Sequence, residues 1–118
     1  MSEIPDVGRK LSELKGLLGT SYTKSVIFEA LLDGEWHDAM DLWRIGKSEN
    51  PNIGLLTVGV IMDEIKSVLG DIIEEDLSKD VKSWRIRSDY LEVLKNYFRS
   101  QISKMLRDRN LAAKGLFF

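Results

Sequence analysis

Apolar residues recur along this chain at spacings that alternate between helical and extended. Leu11, Leu14 and Leu18 stand at i, i+3 and i+7, which predicts a short amphipathic helix over about residues 6–18, with Gly19 as its stop. Thr20 or Ser21 then offers a cap for a second helix, about 21–33, whose apolar face is Val26, Ile27, Ala30 and Leu31. Asp33-Gly34 is a stop and a turn. Glu35-Trp36-His37 has room only for a small edge strand. Asp38 with Asp41 marks the next helix start: a capping carboxylate, then an acid near the positive end of the helix dipole. Ala39, Leu42, Trp43 and Ile45 carry that helix to Gly46.

KSENPNIG, residues 47–54, is a turn-rich loop in which Pro51 holds Asn50 out of the α region. The helical period returns in LLTVGVIMDEIKSVLG, with Val58, Ile61, Ile65, Val68 and Leu69 on one side and Gly70 as terminator. It then changes to two. DIIEED, LSKDV and KSWRIR read as strand, turn and strand, with Trp84 and Ile86 on one face and Ser83, Arg85 and Arg87 on the other. Asp89, with Glu92 three residues on, is placed to cap a final helix running to about residue 112. Along it Leu91, Leu94, Phe98, Ile102 and Met105 form a stripe of nearly heptad spacing. Such a stripe packs on its own domain or on a second copy, and a long terminal helix in a small chain favours the homodimer. The expected fold is mainly α with a small antiparallel β-hairpin. A single domain covers 1–118, with its core at about 20–88 and a dimerising helix at about 89–112.

Composition sharpens this picture by exclusion. At 118 residues and 43% hydrophobic the chain has the material for one real core. Without cysteine it has no disulfide, no zinc–thiolate site and no thiol nucleophile. It contains no apolar run of membrane-spanning length and no signal-like start, so a cytoplasmic, nucleoid-associated protein is expected. The net charge of −2 conceals an asymmetry: residues 1–78 hold 7 basic and 15 acidic residues, residues 79–118 hold 10 basic and 4 acidic. The basic third begins at the second strand of the hairpin, so the total charge is a poor guide to partners.

Candidate chemistry is sparse. His37 is the only histidine, and a metal site would want several nitrogen or sulfur ligands, so no metal is expected and His37 is read as supporting the turn into the next helix. Trp36, Trp43 and Trp84 are read as core residues. Glu74, Glu75 and Asp76 are read as the solvated face of a strand, because a hairpin offers no pocket to separate carboxylate pKa values. There is no glycine-rich phosphate loop, no nucleophile elbow and no motif for a small-molecule sensor. An enzyme and a cofactor are not expected.

The order of elements resembles the winged helix-turn-helix domain of small archaeal and bacterial transcription regulators, over about Ser25 to Ser88. SVIFEALLDGEWHDAMDLW is similar to the family's first helix, short strand and second helix. LTVGVIMDEIKSVLG lies where its recognition helix belongs, and DIIEEDLSKDVKSWRIRS looks like its wing. The resemblance implies a homodimeric DNA-binding regulator with extra N- and C-terminal helices. It would contact double-stranded DNA through Ser48, Asn50, Asn52, Thr57 and Lys66 in the helix-turn region, and through Lys79, Lys82, Arg85 and Arg87 in the wing. The same segment also has Leu55, Leu56, Val58, Gly59 and Val60 where base-reading side chains are usual, followed by Asp63 and Glu64. That run supports an alternative: a winged helix that binds protein within a transcription or replication assembly. The apolar ending KGLFF suits docking on a partner.

Overall fold

The computed structural model describes residues 7–113; the KGLFF ending lies outside them. The fold is mainly helical, with a three-stranded antiparallel sheet. Helix α1 (Val7–Leu18) buries Leu11, Leu14 and Leu18 and packs on α4 (Leu55–Leu69). Helix α2 (Tyr22–Ala30) follows with Ser21 at its cap position, although the Ser21 side chain makes no capping bond. The chain tightens into a 3₁₀ turn at Leu31–Asp33 and stops at Gly34, whose φ of 77° is open to glycine at little cost. A Cβ there would also stand 2.8 Å from Leu91 Cδ2.

Strand β1 (His37–Asp38) is shorter than expected and begins two residues further on. It leads directly into α3 (Ala39–Lys47), where the Asp41 N–H donates to Asp38 Oδ1 at 2.8 Å, the expected cap. Gly46 does not end this helix. It lies inside α3, buried, because Ile53 and Ile27 close over it and a Cβ would meet Ile53 Cδ1 at 3.2 Å. Glycine here serves close packing, and the stop falls two residues later.

Helix α4 buries Val58, Ile61, Met62, Ile65 and Leu69. After it come β2 (Ile73–Asp76) and β3 (Ser83–Ile86), paired in the register Ile73 with Ile86 and Asp76 with Ser83. The strand order is β1-β3-β2, with His37 opposite Trp84. The predicted alternation holds: Trp84 and Ile86 are buried, and Arg85 lies on the opposite face. Trp84 alone among the tryptophans is fully a core residue. Trp43 is half-buried, and Trp36 is 42% exposed.

The final helix departs from expectation at both its start and its middle. Helix α5 (Ser88–Tyr97) begins before Asp89, which sits in its first turn and pairs with Arg87 instead of capping. A π-helical segment at Phe98–Ile102 then separates α5 from α6 (Ser103–Ala113). The stripe is not a free dimer surface. Leu94, Phe98 and Ile102 belong to the chain's own core, Leu91 packs on Gly34, and Met105 lies against Gly19. The helix wraps back on α1 and α2 because those helices otherwise leave an apolar face open. Of the five residues assigned to a dimer interface, Leu94, Phe98 and Ile102 are therefore buried within one chain, and Leu91 and Met105 are half-buried against it.

Candidate nucleic-acid interface

Between α3 and α4 the chain makes a tight polar turn. Its geometry is held from below by Trp43, whose Nε1–H donates to the Ile53 carbonyl at 2.9 Å while Ile53 itself is buried. Backbone bonds from the Asn50 N–H to Gly46 O and from the Ile53 N–H to Asn50 O fold the loop. The Asn50 side chain accepts the Asn52 N–H, an Asx turn that explains an asparagine at this position. Ser48 donates its hydroxyl to the Ile45 carbonyl. Four expected contact residues, Ser48, Asn50, Asn52 and Thr57, are thereby gathered, exposed, around the start of α4.

Two cations flank this turn that the sequence reading did not single out. Lys47 lies over the Trp43 ring, its Nζ 4.5 Å from the centroid, and Arg44 is exposed one helical turn before Ser48. Neither forms an ion pair among the described residues. The signal for them was their spacing: on α3, Arg44 and Lys47 fall opposite the buried Leu42 and Gly46.

Lys66 stands elsewhere. Its Nζ donates to the carbonyls of Gly70 at 3.3 Å and Ile73 at 3.0 Å, tying the end of α4 to the start of β2. A lysine there answers the unpaired carbonyls and the negative pole of the helix terminus. It is not available to a groove.

The hairpin cations are mostly matched by acids. Arg85 Nε donates to Glu74 Oε1 at 2.8 Å, and its guanidinium stacks on Trp36 at 4.6 Å. Arg87 grips both oxygens of Asp89 and lies over Tyr90. Lys82 stands 3.8 Å from Glu75, and only Lys79 at the tip has no ion pair among the described residues. Glu75 is not simply solvated: it accepts the Trp84 indole N–H at 3.0 Å, which satisfies that buried ring. Asp76 accepts both the N–H and the hydroxyl of Ser78, which hold its carboxyl below the usual range and shape the hairpin loop.

The outer side of α4 carries little charge. Leu56 is 87% exposed, Val60 59%, and Leu55 is exposed beside them. Glu64 is turned aside to Lys24 of α2 at 3.1 Å, whereas Asp63 remains exposed.

At the start of α3 His37 is held between two carboxylates. Nε2 lies 2.9 Å from both oxygens of Asp33, and Nδ1 is bonded to Asp41. It joins the 3₁₀ turn to the start of α3, the supporting role expected of it. Burial pushes the imidazole pKa down, but the hydrogen bonds and charges of Asp33 and Asp41 outweigh it and raise the net value. For Asp33, burial pushes upward, and the Glu35 N–H and His37 together bring the carboxyl below its ordinary value. A raised histidine pKa stabilises fully below its unfolded value of about 6.5 and is lost as pH rises through the folded value. Thermal melts are therefore expected to fall as pH is raised from about 6 to 8. His37→Gln should flatten that slope, at a cost near pH 6 of about 1 kcal/mol. An unchanged slope in the variant would place the responsible group elsewhere.

No cluster among the described residues is suited to hold a metal ion, and no helix among them is long and apolar enough to cross a membrane. Comparison of the chain with protein-family models, curated proteins and solved structures finds no match in any of the three.

Proposed function

We propose that this chain is a winged helix-turn-helix protein that binds double-stranded DNA, with α3 and α4 as the helix-turn-helix and the β2–β3 hairpin as the wing. The element order supports the architecture: three helices, a short strand after the first of them in the core, and a terminal hairpin pairing back to that strand. The observation that carries the function is the turn before α4. Hydroxyl and amide side chains stand exposed there, with Glu49 among them, next to two cations that form no ion pair among the described residues, and such hydroxyls, amides and cations bond phosphate oxygens and base edges. Backbone contact thus centres on the turn. The wing arginines take a lesser part, because each must first exchange a carboxylate for a phosphate.

Fluorescence anisotropy on a generic labelled duplex tests this. Binding is expected in the micromolar range, weakening steeply with salt as phosphate contacts require. Arg44→Ala with Lys47→Ala should weaken binding about tenfold and lower the salt slope by about 2, near 0.9 per lost phosphate contact. Arg85→Ala with Arg87→Ala should do less. Equal or greater loss in the wing variant would move the contact surface to the hairpin.

One observation favours a second reading. Leu55, Leu56 and Val60 present an uncharged outer face on the very helix that would enter the groove. Exposed apolar side chains in a row suit a protein partner better than phosphates, although they also suit thymine methyls. Absence of duplex binding at low salt would pass the site to a protein-docking function.

A further inference from the structure

A cleft of about 760 Å³ opens between the start of α2 and the C-terminal helix α6. Its volume falls in the range of small-molecule sites. Val26, Phe98 and Leu106 supply apolar lining; Phe98 is buried and the other two are half-buried. Arg107 and Arg109 line it from α6. Arg109 is oriented by donating Nη1 to the Gly19 carbonyl at 2.5 Å, and Arg107 forms no ion pair among the described residues. The α6 side of the cleft, where apolar lining meets two guanidinium groups, suits one class of ligand: an organic carboxylate with an aliphatic or aromatic body, its anion held by the planar forks that match it.

Two exposed acids also line the cleft, neither in an ion pair with Arg107 or Arg109 among the described residues: Glu29 of α2 and, of more consequence, Glu49. It belongs to the α3–α4 turn, between Ser48 and Asn50. The π-helical segment adds to the case. Interruptions of this kind are frequent at functional sites, and this one begins with Phe98, a lining residue. We infer that the cleft is an effector site for an amphipathic organic carboxylate, and that its occupancy weakens duplex binding at the adjoining turn. The first half stands on the cleft alone; the second rests on the DNA reading. The direction follows from charge. A carboxylate in the cleft adds negative potential beside Glu49, close to where phosphates approach, and repels them.

The test begins without DNA. The full chain is titrated calorimetrically with octanoate, with octanol as the neutral control. Saturable one-to-one octanoate binding is expected, with a dissociation constant at or below about 1 mM, consistent with a ligand of this size. Octanol should bind more weakly. Arg107→Glu, a change at an exposed position, should weaken octanoate at least tenfold and leave octanol unaffected. No saturable binding, or octanoate binding indifferent to Arg107→Glu, would overturn the site. Anisotropy on the labelled duplex then follows at saturating octanoate, and a several-fold loss of duplex affinity is expected. Unchanged duplex affinity would overturn the coupling alone. A chain that binds octanoate and never binds the duplex would overturn the DNA reading and the coupling with it, leaving the ligand site standing.

Discussion

Phe28→Ala is expected to destabilise the fold by about 3–5 kcal/mol, the range for truncating a large buried aromatic. Phe28 is fully buried in α2, and its ring centroid lies 6.0 Å from that of Phe98. The pair joins α2 to the π-helical segment, so the cavity would open where the C-terminal helix is attached. A loss of this size is a large fraction of the roughly 5–15 kcal/mol available to a domain. Urea unfolding measures it: the midpoint should fall sharply, and Phe28→Leu should recover much of it. A loss under about 1.5 kcal/mol would mean that the C-terminal helix is not packed on α2 in solution.

Lys66→Ala carries the second large expectation, about 2 kcal/mol, for a residue whose charge suggests a different task. Its ammonium serves two carbonyls, Gly70 and Ile73, at the point where α4 ends and β2 begins. Without it, two half-covered acceptors lose a charged donor, and the negative end of the helix loses its counter-charge. The folded variant should bind the duplex within about twofold of the parent. Stability reduced by less than about 0.5 kcal/mol, together with a tenfold loss of DNA affinity, would return Lys66 to the interface.

Lys66 also shows what one sequence can and cannot disclose. The helical period of α4 was legible, and both its ends matched, because buried residues repeat on one face and Gly54 and Gly70 bracket them, although Met62 is buried there and the expected Val68 only half-buried. The hairpin was legible for the same reason with period two. Direction within the exposed or half-buried set was not legible. A lysine one turn from a helix end points to solvent or folds back on carbonyls, and only the position of β2 decides. Gly46 misled similarly: its role as a close-packing point depends on Ile53, across the turn, and on Ile27, in another helix. The stripe from Leu91 to Met105 was correctly read as apolar, but periodicity does not say which chain covers it. At the site, the turn followed from Pro51 and its polar neighbours, whereas Ser48, Asn50, Asn52 and Thr57 as contact residues followed only from the resemblance. Arg44 and Lys47 had a signal in their spacing on α3, but that they form no ion pair among the described residues emerged only in the structure. The cleft beside Glu49 joins three elements distant in sequence, and no local pattern encodes it.

The π-helical segment has one more consequence, which concerns chain length. A π turn closes five residues on and so holds one residue more than an α turn. Deleting a single residue within Phe98–Ile102, so that the helix became regular, would leave everything after it facing nearly the same way, because the residue removed is the one the wide turn had absorbed. Met105 would stay beside Gly19, and Arg107 and Arg109 would keep their direction; the same deletion in the regular turns of α5 would rotate all three by about 100°. One codon can be lost at this point with the outer surface of the C-terminal helix kept, whereas the same loss a turn earlier would re-address all of it.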